Sequence, residues 1–416
     1  MSYNFYKQFY NNNLLVNLLS ITIGLLPISL LAGSLIINLN VIIICIVFLI
    51  IVFKFKRFDI FKDKFLILLI FFWISLIINL FFSIDIENSL ARVLGFSRFI
   101  LLIYAIKFCL INNNSLHSNI IYKSWLIIFI IVTLDLIFEY FVGFNTLGFK
   151  SYMPGRLSGF LDQELKIGHF YLTYFLICSV TIFHLLKNRN LFYLSILIFF
   201  IVSLMIGERA NFLRLFGITL LFLLITEKTS LYKKLLILSF GILSFSTIVM
   251  TNENLKTRFY GQFLQPLVFE FDLNYIKNGN MYFANYDRAY EIFKKNKSFG
   301  VGIKNFRIES KKEMYRNDNL KYTDQSSTTH PHQIHLEFLS ETGLFGYLCF
   351  LIFIFITLFL SIKSYLKNKN LYLISSILFF IISIIPLLPS GSFFTTYAAT
   401  LFWINFAVMI ANQITK

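Results

Sequence analysis

Residues 329–362 read THPHQIHLEFLSETGLFGYLCFLIFIFITLFLSI, a polar turn with three histidines that passes directly into twenty residues, 343–362, without a single charge. A helix of that length, at 1.5 Å per residue, crosses about 30 Å of hydrocarbon. Similar runs recur at 14–31, 35–53, 65–82, 93–111, 125–142, 168–186, 191–206, 212–225, 235–250, 371–388 and 394–414. The sequence therefore predicts an all-α polytopic membrane protein with about twelve transmembrane helices. The composition agrees: of 416 residues 57% are apolar, 19% aromatic and only 14% charged, where a soluble domain carries about 25% charged residues.

The formal charge of +16 is too thinly spread along apolar helices to build a basic soluble surface, so no nucleic-acid partner is expected. Cys45, Cys109, Cys178 and Cys349 each lie within an apolar run and share no metal-ligand spacing, which reads them as small packing residues. Residues 1–13 are polar and include Lys7, and the following run ends in Ala32-Gly33-Ser34, an imitation of a signal-peptide cleavage site. A second run follows at once, so the first helix is expected to be retained.

Cations in short loops mark the cytoplasmic side. Lys54, Lys56, Arg57, Lys62 and Lys64 crowd one loop, and Lys187/Arg189, Lys228/Lys233/Lys234 and Lys363/Lys367/Lys369 occupy alternate later ones. Both termini are thus expected in the cytoplasm. The expected architecture is transmembrane helices 1–9 in residues 1–250, one large periplasmic loop with helices of its own in 251–333, and helices 10–12 in 334–416. On this topology 15 of 26 lysines face inward, but 9 of 11 arginines face outward. Long loops are exempt from the charge rule, which leaves Arg92, Arg98, Arg156, Arg209 and Arg214 in or beside short outward loops unexplained. A planar guanidinium fork suits phosphate or diphosphate; local pairing with a carboxylate, or reaching toward lipid headgroups, is the plainer alternative.

His330, His332 and His335 stand at the outer mouth of the tenth predicted helix, with Glu337 and Glu341 one turn apart behind them. An imidazole titrating near working pH suits general-base catalysis. A zinc site is a rival reading of His-x-His-x-x-His, and histidines merely lining an interface a third.

These residues resemble the O-antigen ligase and O-antigen polymerase superfamily of bacterial envelope glycosyltransferases. The pattern at that family's last large periplasmic loop is matched by His332, Gln333, Gly343 and Gly346. Asp287-Arg288-Ala289 followed by Ser298-Phe299-Gly300-Val301-Gly302 is similar to its Arg-containing helix and Gly-Val-Gly turn. Gly207-Glu208-Arg209-Ala210 resembles its Ser-Arg-Gly element, with Glu208 in place of a small residue, and Arg156-Leu157-Ser158-Gly159 its Arg-x-Ser-Gly segment. The likeness covers about 156–350. After Gly159 the chain reads Leu161-Asp162-Gln163-Glu164 and lacks the Pro-Asn pair common there.

The resemblance implies transfer of a glycan from an undecaprenyl-diphosphate carrier to an acceptor sugar hydroxyl in the bacterial inner membrane, without metal or other cofactor. A ligase would use lipid A-core as acceptor, and a polymerase would join lipid-linked repeat units. His332 is then the candidate catalytic base, with Arg209, Arg288 and Arg156 on the donor diphosphate and Gln333, His335, Glu337, Gly343 and Gly346 in support. Gly343 and Gly346 are expected to permit a close helix contact that steadies the histidine turn. Asp135 and Glu139, one turn apart in the fifth predicted helix, are expected to line the same outward cavity or pair with an arginine. A transporter or flippase would also use such carboxylates, but twelve helices with one long loop after the ninth lack the two equivalent halves of many carriers.

Overall fold

A computed structural model describes residues 14–111, 116–226, 231–386 and 388–413. Lys7 and Lys228, two of the orienting cations, and the end of the last predicted run at 414 lie outside the described residues. No strand occurs among the described residues. Each of the twelve apolar runs carries helix: α1 (Leu14–Gly24, continuing as Leu26–Leu31), α2 (Ser34–Lys54), α3 (Lys64–Leu80), α4 (Ile86–Gly95) with α5 (Ser97–Leu110), α6 (Leu116–Val142), α7 (Ile167–Leu186), α8 (Arg189–Met205), α9 (Arg209–Thr226) and α10 (Leu231–Thr251). After α11 (Met281–Lys295) come α12 (Ile334–Asn368), α13 (Leu371–Ser383) and α14 (Thr396–Ala411). Six helical stretches among the described residues are long and apolar enough to cross a membrane by length and composition: Ser34–Lys54, Ile86–Leu110, Leu116–Val142, Ile167–Leu186, Arg209–Thr226 and Ile334–Asn368.

Side-chain placement separates interior helices from peripheral ones. Nearly every residue of α14 is buried, as is most of α5 and α7, the signature of helices that are apolar all round and enclosed by others. α14 packs on α5, α13 and α7. By contrast α12 leaves Leu344, Leu348, Ile352, Phe355, Phe359 and Ile362 exposed at helical spacing, a stripe that water would not tolerate and lipid would.

Two helices end differently from the sequence expectation. The apolar run 371–388 continues past Ser383, but α13 stops there. Pro386 has no N–H and its ring disfavours the helical conformation of Ile385. The carbonyls freed beyond it are taken by Arg214 of α9, whose guanidinium donates to Pro389 O at 2.8 Å and Leu388 O at 3.1 Å. Non-helical backbone persists inside a bundle only where such partners satisfy it. α12 is also broken: Gly343 has φ 63° and ψ −167°, so its first two turns form a separate short helix.

The segment between α10 and α12 contains a wide helix over Lys256–Phe269, then Leu273–Asn278, α11 and short turns. It has a small core of its own, Ala289, Ile292, Val301, Phe306 and Tyr315, on which Leu336 packs.

Candidate functional site

The histidine turn is assembled from three directions. His332 precedes the α12 N-cap Gln333 and adopts a left-handed backbone, φ 59°, a conformation a non-glycine residue holds only when its surroundings enforce it. Gln333 caps the helix by accepting Leu336 N–H at 2.8 Å, and Ser390 N–H donates to the His332 carbonyl at 2.7 Å. Glu337, wholly buried, accepts Phe393 N–H at 2.8 Å and the Ser392 hydroxyl. Lys304, buried in the segment after Gly302, donates to the same Ser392 hydroxyl. Burial pulls the Lys304 ammonium below the ordinary lysine range, and the carboxylates of Glu337 and Glu341 oppose that shift. The residues 388–393 are therefore clamped by Arg214, Lys304 and Glu337, and they in turn hold His332.

The two glycine motifs interlock on the other side of that turn. Gly343 breaks α12 so that Leu344 N–H and Phe345 N–H reach Lys297 O (2.8 Å) and Ser298 O (3.0 Å), while Val301 N–H and Gly302 N–H donate to Ser340 O (3.0 Å) and Glu341 O (2.8 Å). A Cβ on Gly343 would lie 2.5 Å from the Ser298–Phe299 backbone, and one on Gly302 would lie 1.9 Å from Ser83 Oγ. The expected helix–helix contact is thus corrected: Gly343 serves a positive φ and a backbone-to-backbone docking. Gly346 faces Thr342 of its own helix, whose side chain would lie 2.4 Å from an added Cβ. Asn79, at the end of α3, donates to Phe299 O at 2.5 Å and closes the junction.

The His332 ring lies 4.0 Å from that of His330 and edge-on to Tyr282 of α11 at 5.5 Å. Burial holds the His332 imidazole below the ordinary histidine value. Burial, with His332 and Lys304 nearby, pushes His330 down to about 3. Both rings are therefore neutral near pH 7, the state in which a ring nitrogen can accept a proton. His335 does not join them. Its Nε2 donates to Ile384 O at 2.7 Å, and its Nδ1 bonds Tyr347 Oη at 3.0 Å, so it ties α12 to the end of α13.

Beyond Tyr282 stands a cluster of guanidiniums. The charges of Arg156 and Arg209 adjoin there, joined by Arg258, which the sequence reading passed over. Arg209 donates to Arg258 O (3.2 Å) and Gln262 O (3.1 Å), and Arg258 Nε donates to Gly207 O at 3.2 Å. Burial and the neighbouring charges of Arg209 and Arg156 pull Arg258 down to about 10, and Tyr282 opposes this; Arg258 stays cationic at neutral pH. Glu208, the departure from the family pattern, pairs with Arg156 at 3.0 Å. Three cations against one carboxylate leave two positive charges in excess. Gly207, φ 73°, permits this junction, since a Cβ there would lie 1.8 Å from Gly155 O. Arg258 escaped notice because it lies in the long segment, where cations carry no topological signal.

Arg288 is placed elsewhere. It is buried in the segment, donating to Ser326 Oγ (2.6 Å), Ser310 O (2.7 Å), Lys312 O and Thr323 O (both 3.3 Å), and so braces 310–326 against α11. Among the described residues neither Asp135 nor Glu139 forms an ion pair with an arginine. Asp135 accepts Thr146 N–H at 2.9 Å and Glu139 accepts Ser158 N–H (3.0 Å) and Gly159 N–H (2.7 Å), which fastens the 145–159 loop to α6. Among the described residues no group of three or more His, Cys, Asp or Glu is arranged to hold a metal ion, and the four cysteines are buried and unbridged.

Such a neutral imidazole beside a cationic cluster, on a bundle of apolar helices, is suited to group transfer from a phosphorylated lipid. Residues 192–351, from α8 into α12, match the family model described as O-Antigen ligase. That segment holds Arg209, Arg258, Arg288, His332 and both glycine motifs, and its match supports the likeness to the O-antigen ligase and polymerase superfamily. No curated protein matches the chain.

Proposed function

We propose that the protein is an inner-membrane glycosyltransferase of the O-antigen ligase type, moving a glycan from undecaprenyl diphosphate to a sugar hydroxyl of lipid A-core on the periplasmic side. The observation that carries this reading is Tyr282, which touches the His332 ring and lies in the field of Arg209 and Arg258. The candidate base and the excess positive charge thus both adjoin Tyr282, within the segment matched by the family model.

The residues support a single inverting displacement. The acceptor oxygen attacks the anomeric carbon while its proton passes to a ring nitrogen of His332. The bond from that carbon to the diphosphate oxygen breaks on the opposite face, and its electron pair stays with the leaving diphosphate. Arg209 and Arg258 meet the charge that develops there, which is where preorganised donors lower a barrier most. Arg156, paired with Glu208, positions those two arginines; Arg288 acts at a distance by holding the 310–326 segment. General-base assistance of this kind contributes roughly 10²–10⁴ in rate.

In vitro transfer from a lipid-linked glycan to lipid A-core tests the reading. His332→Ala should lose at least a hundred-fold in rate with little change in donor affinity; full transfer by that variant would sink the assignment. A deletion strain separates ligation from polymerisation: ligation predicts lipid-linked polymer accumulating with unmodified lipid A-core, whereas single-repeat caps would assign polymerisation.

A further inference from the structure

A second pair of arginines stands apart from the cluster around Tyr282. Arg92 lies in the last turn of α4 and Arg98 in the first turn of α5. Both turn to one hydroxyl, Thr396 Oγ1, which Arg98 approaches at 3.1 Å and Arg92 at 3.5 Å. Thr396 opens α14, so the positive end of that helix dipole lies at the same place. Neither guanidinium enters an ion pair among the described residues. Their charges lie close enough to repel each other. Arg98 Nε is buried and lacks a partner, while Arg92 is exposed and open to a ligand.

Two unpaired guanidiniums that share one neutral acceptor leave most of their ten N–H donors unengaged. A phosphoryl group, with about −1.5 to −2 charge and three acceptor oxygens, satisfies them. The place is tied to the histidine turn. Lys304 feels Arg92 on one side and acts on His330 on the other, and the stretch 392–396 carries both Ser392, bound to Lys304, and Thr396. Two cationic places thus adjoin the histidine turn, built on different helices, as a reaction between two phosphorylated lipids requires.

We propose that Arg92, Arg98 and Thr396 form a second anion subsite, which takes a phosphoryl group of the acceptor lipid. This rests on the glycosyl-transfer reading above. The test uses the full chain in neutral detergent, with phosphatidic acid as a phosphomonoester lipid probe read by native mass spectrometry, and with transfer kinetics run in parallel. Arg92→Gln/Arg98→Gln should retain at least ten-fold less phosphatidic acid than the parent and raise the acceptor KM at least ten-fold, with the donor KM moving less than three-fold. Arg92→Lys/Arg98→Lys keeps both charges and should retain more probe than the Gln pair; equal loss in both would point to damaged folding and overturn the subsite. Equal retention by the parent and the Gln pair, or a rise in donor KM alone, would also overturn it. Displacement of phosphatidic acid by an equal concentration of inorganic phosphate would assign the place to the free ion. Retention that depends on the arginines in a protein that transfers no glycan would count against the reaction and leave the phosphoryl subsite standing.

Discussion

At the scale of single residues the site depends on which charges are neutralised and which are not. Arg156 has Glu208, whereas among the described residues Arg209 donates to backbone carbonyls and Arg258 to Gly207 O and to Met153 Sδ at 3.4 Å, neither with a carboxylate of its own. Lysine keeps the charge of an arginine but loses its planar fork. Arg258→Lys and Arg209→Lys are each expected to lower kcat about ten-fold or more, measured with saturating donor; wild-type turnover in both would refute bidentate recognition. Glu208→Gln should leave the half-buried Arg156 guanidinium without its carboxylate and cost stability, read as a lowered unfolding midpoint in detergent. The depressed His332 value has a definite sign. A base whose proton affinity is lowered stays unprotonated further into acid, so the acid limb of the rate profile should have its midpoint below 6.5, the ordinary histidine value. A midpoint above 6.5 in initial rates between pH 4.5 and 8 would exclude His332 as the titrating base. The roles of His332, Arg156 and Arg209 were proposed from residue type and motif spacing. Arg258 and Tyr282 were not, because their relevance arises only from neighbours 49 or more residues away in the chain.

At the scale of elements, the interlocked turns around Gly343 and Gly302 decide where the histidines stand. An alanine at Gly343 meets two obstacles, a φ of 63° with ψ −167° that only glycine adopts readily and that costs about 1–3 kcal/mol otherwise, and a backbone 2.5 Å away. Gly346→Ala keeps a helical backbone but meets the Thr342 Cβ at 2.4 Å. Gly343→Ala should therefore abolish transfer and reduce the yield of folded protein, while Gly346→Ala, spared the backbone strain, loses less; equal damage would mean that both positions serve helix packing. The sequence showed both glycines and their spacing. It did not show that the first one breaks the helix, because an apolar run reads the same whether straight or broken. The early end of α13 was legible in principle, since Pro386 lies inside the run and Pro389 directly after it, but its consequence, Arg214 buried beneath the freed carbonyls, was not.

For the whole molecule, the apolar exterior fits a lipid environment, and the charge distribution gives an expected orientation that labelling can test. The twelve-span reading places the α12–α13 turn in the cytoplasm and the 251–333 segment in the periplasm. Asp318 and Lys363 are both exposed, and the four native cysteines are buried. Asp318→Cys and Lys363→Cys, in a background with those cysteines replaced, should react with a membrane-impermeant maleimide from opposite sides of the membrane, Asp318→Cys alone in intact spheroplasts. Labelling of both from one side would overturn the topology. The amino-acid order alone was enough for the helical class, the apolar runs and the motif-bearing segment, because hydropathy and spacing are properties of adjacent residues. Which arginines stand together, which carboxylates neutralise them and what holds His332 in a left-handed turn were decided by the tertiary structure. Those outcomes depend on distances between residues far apart in the chain, such as Arg156 with Arg258 or Lys304 with Ser392, and burial then determines which of those charges can act.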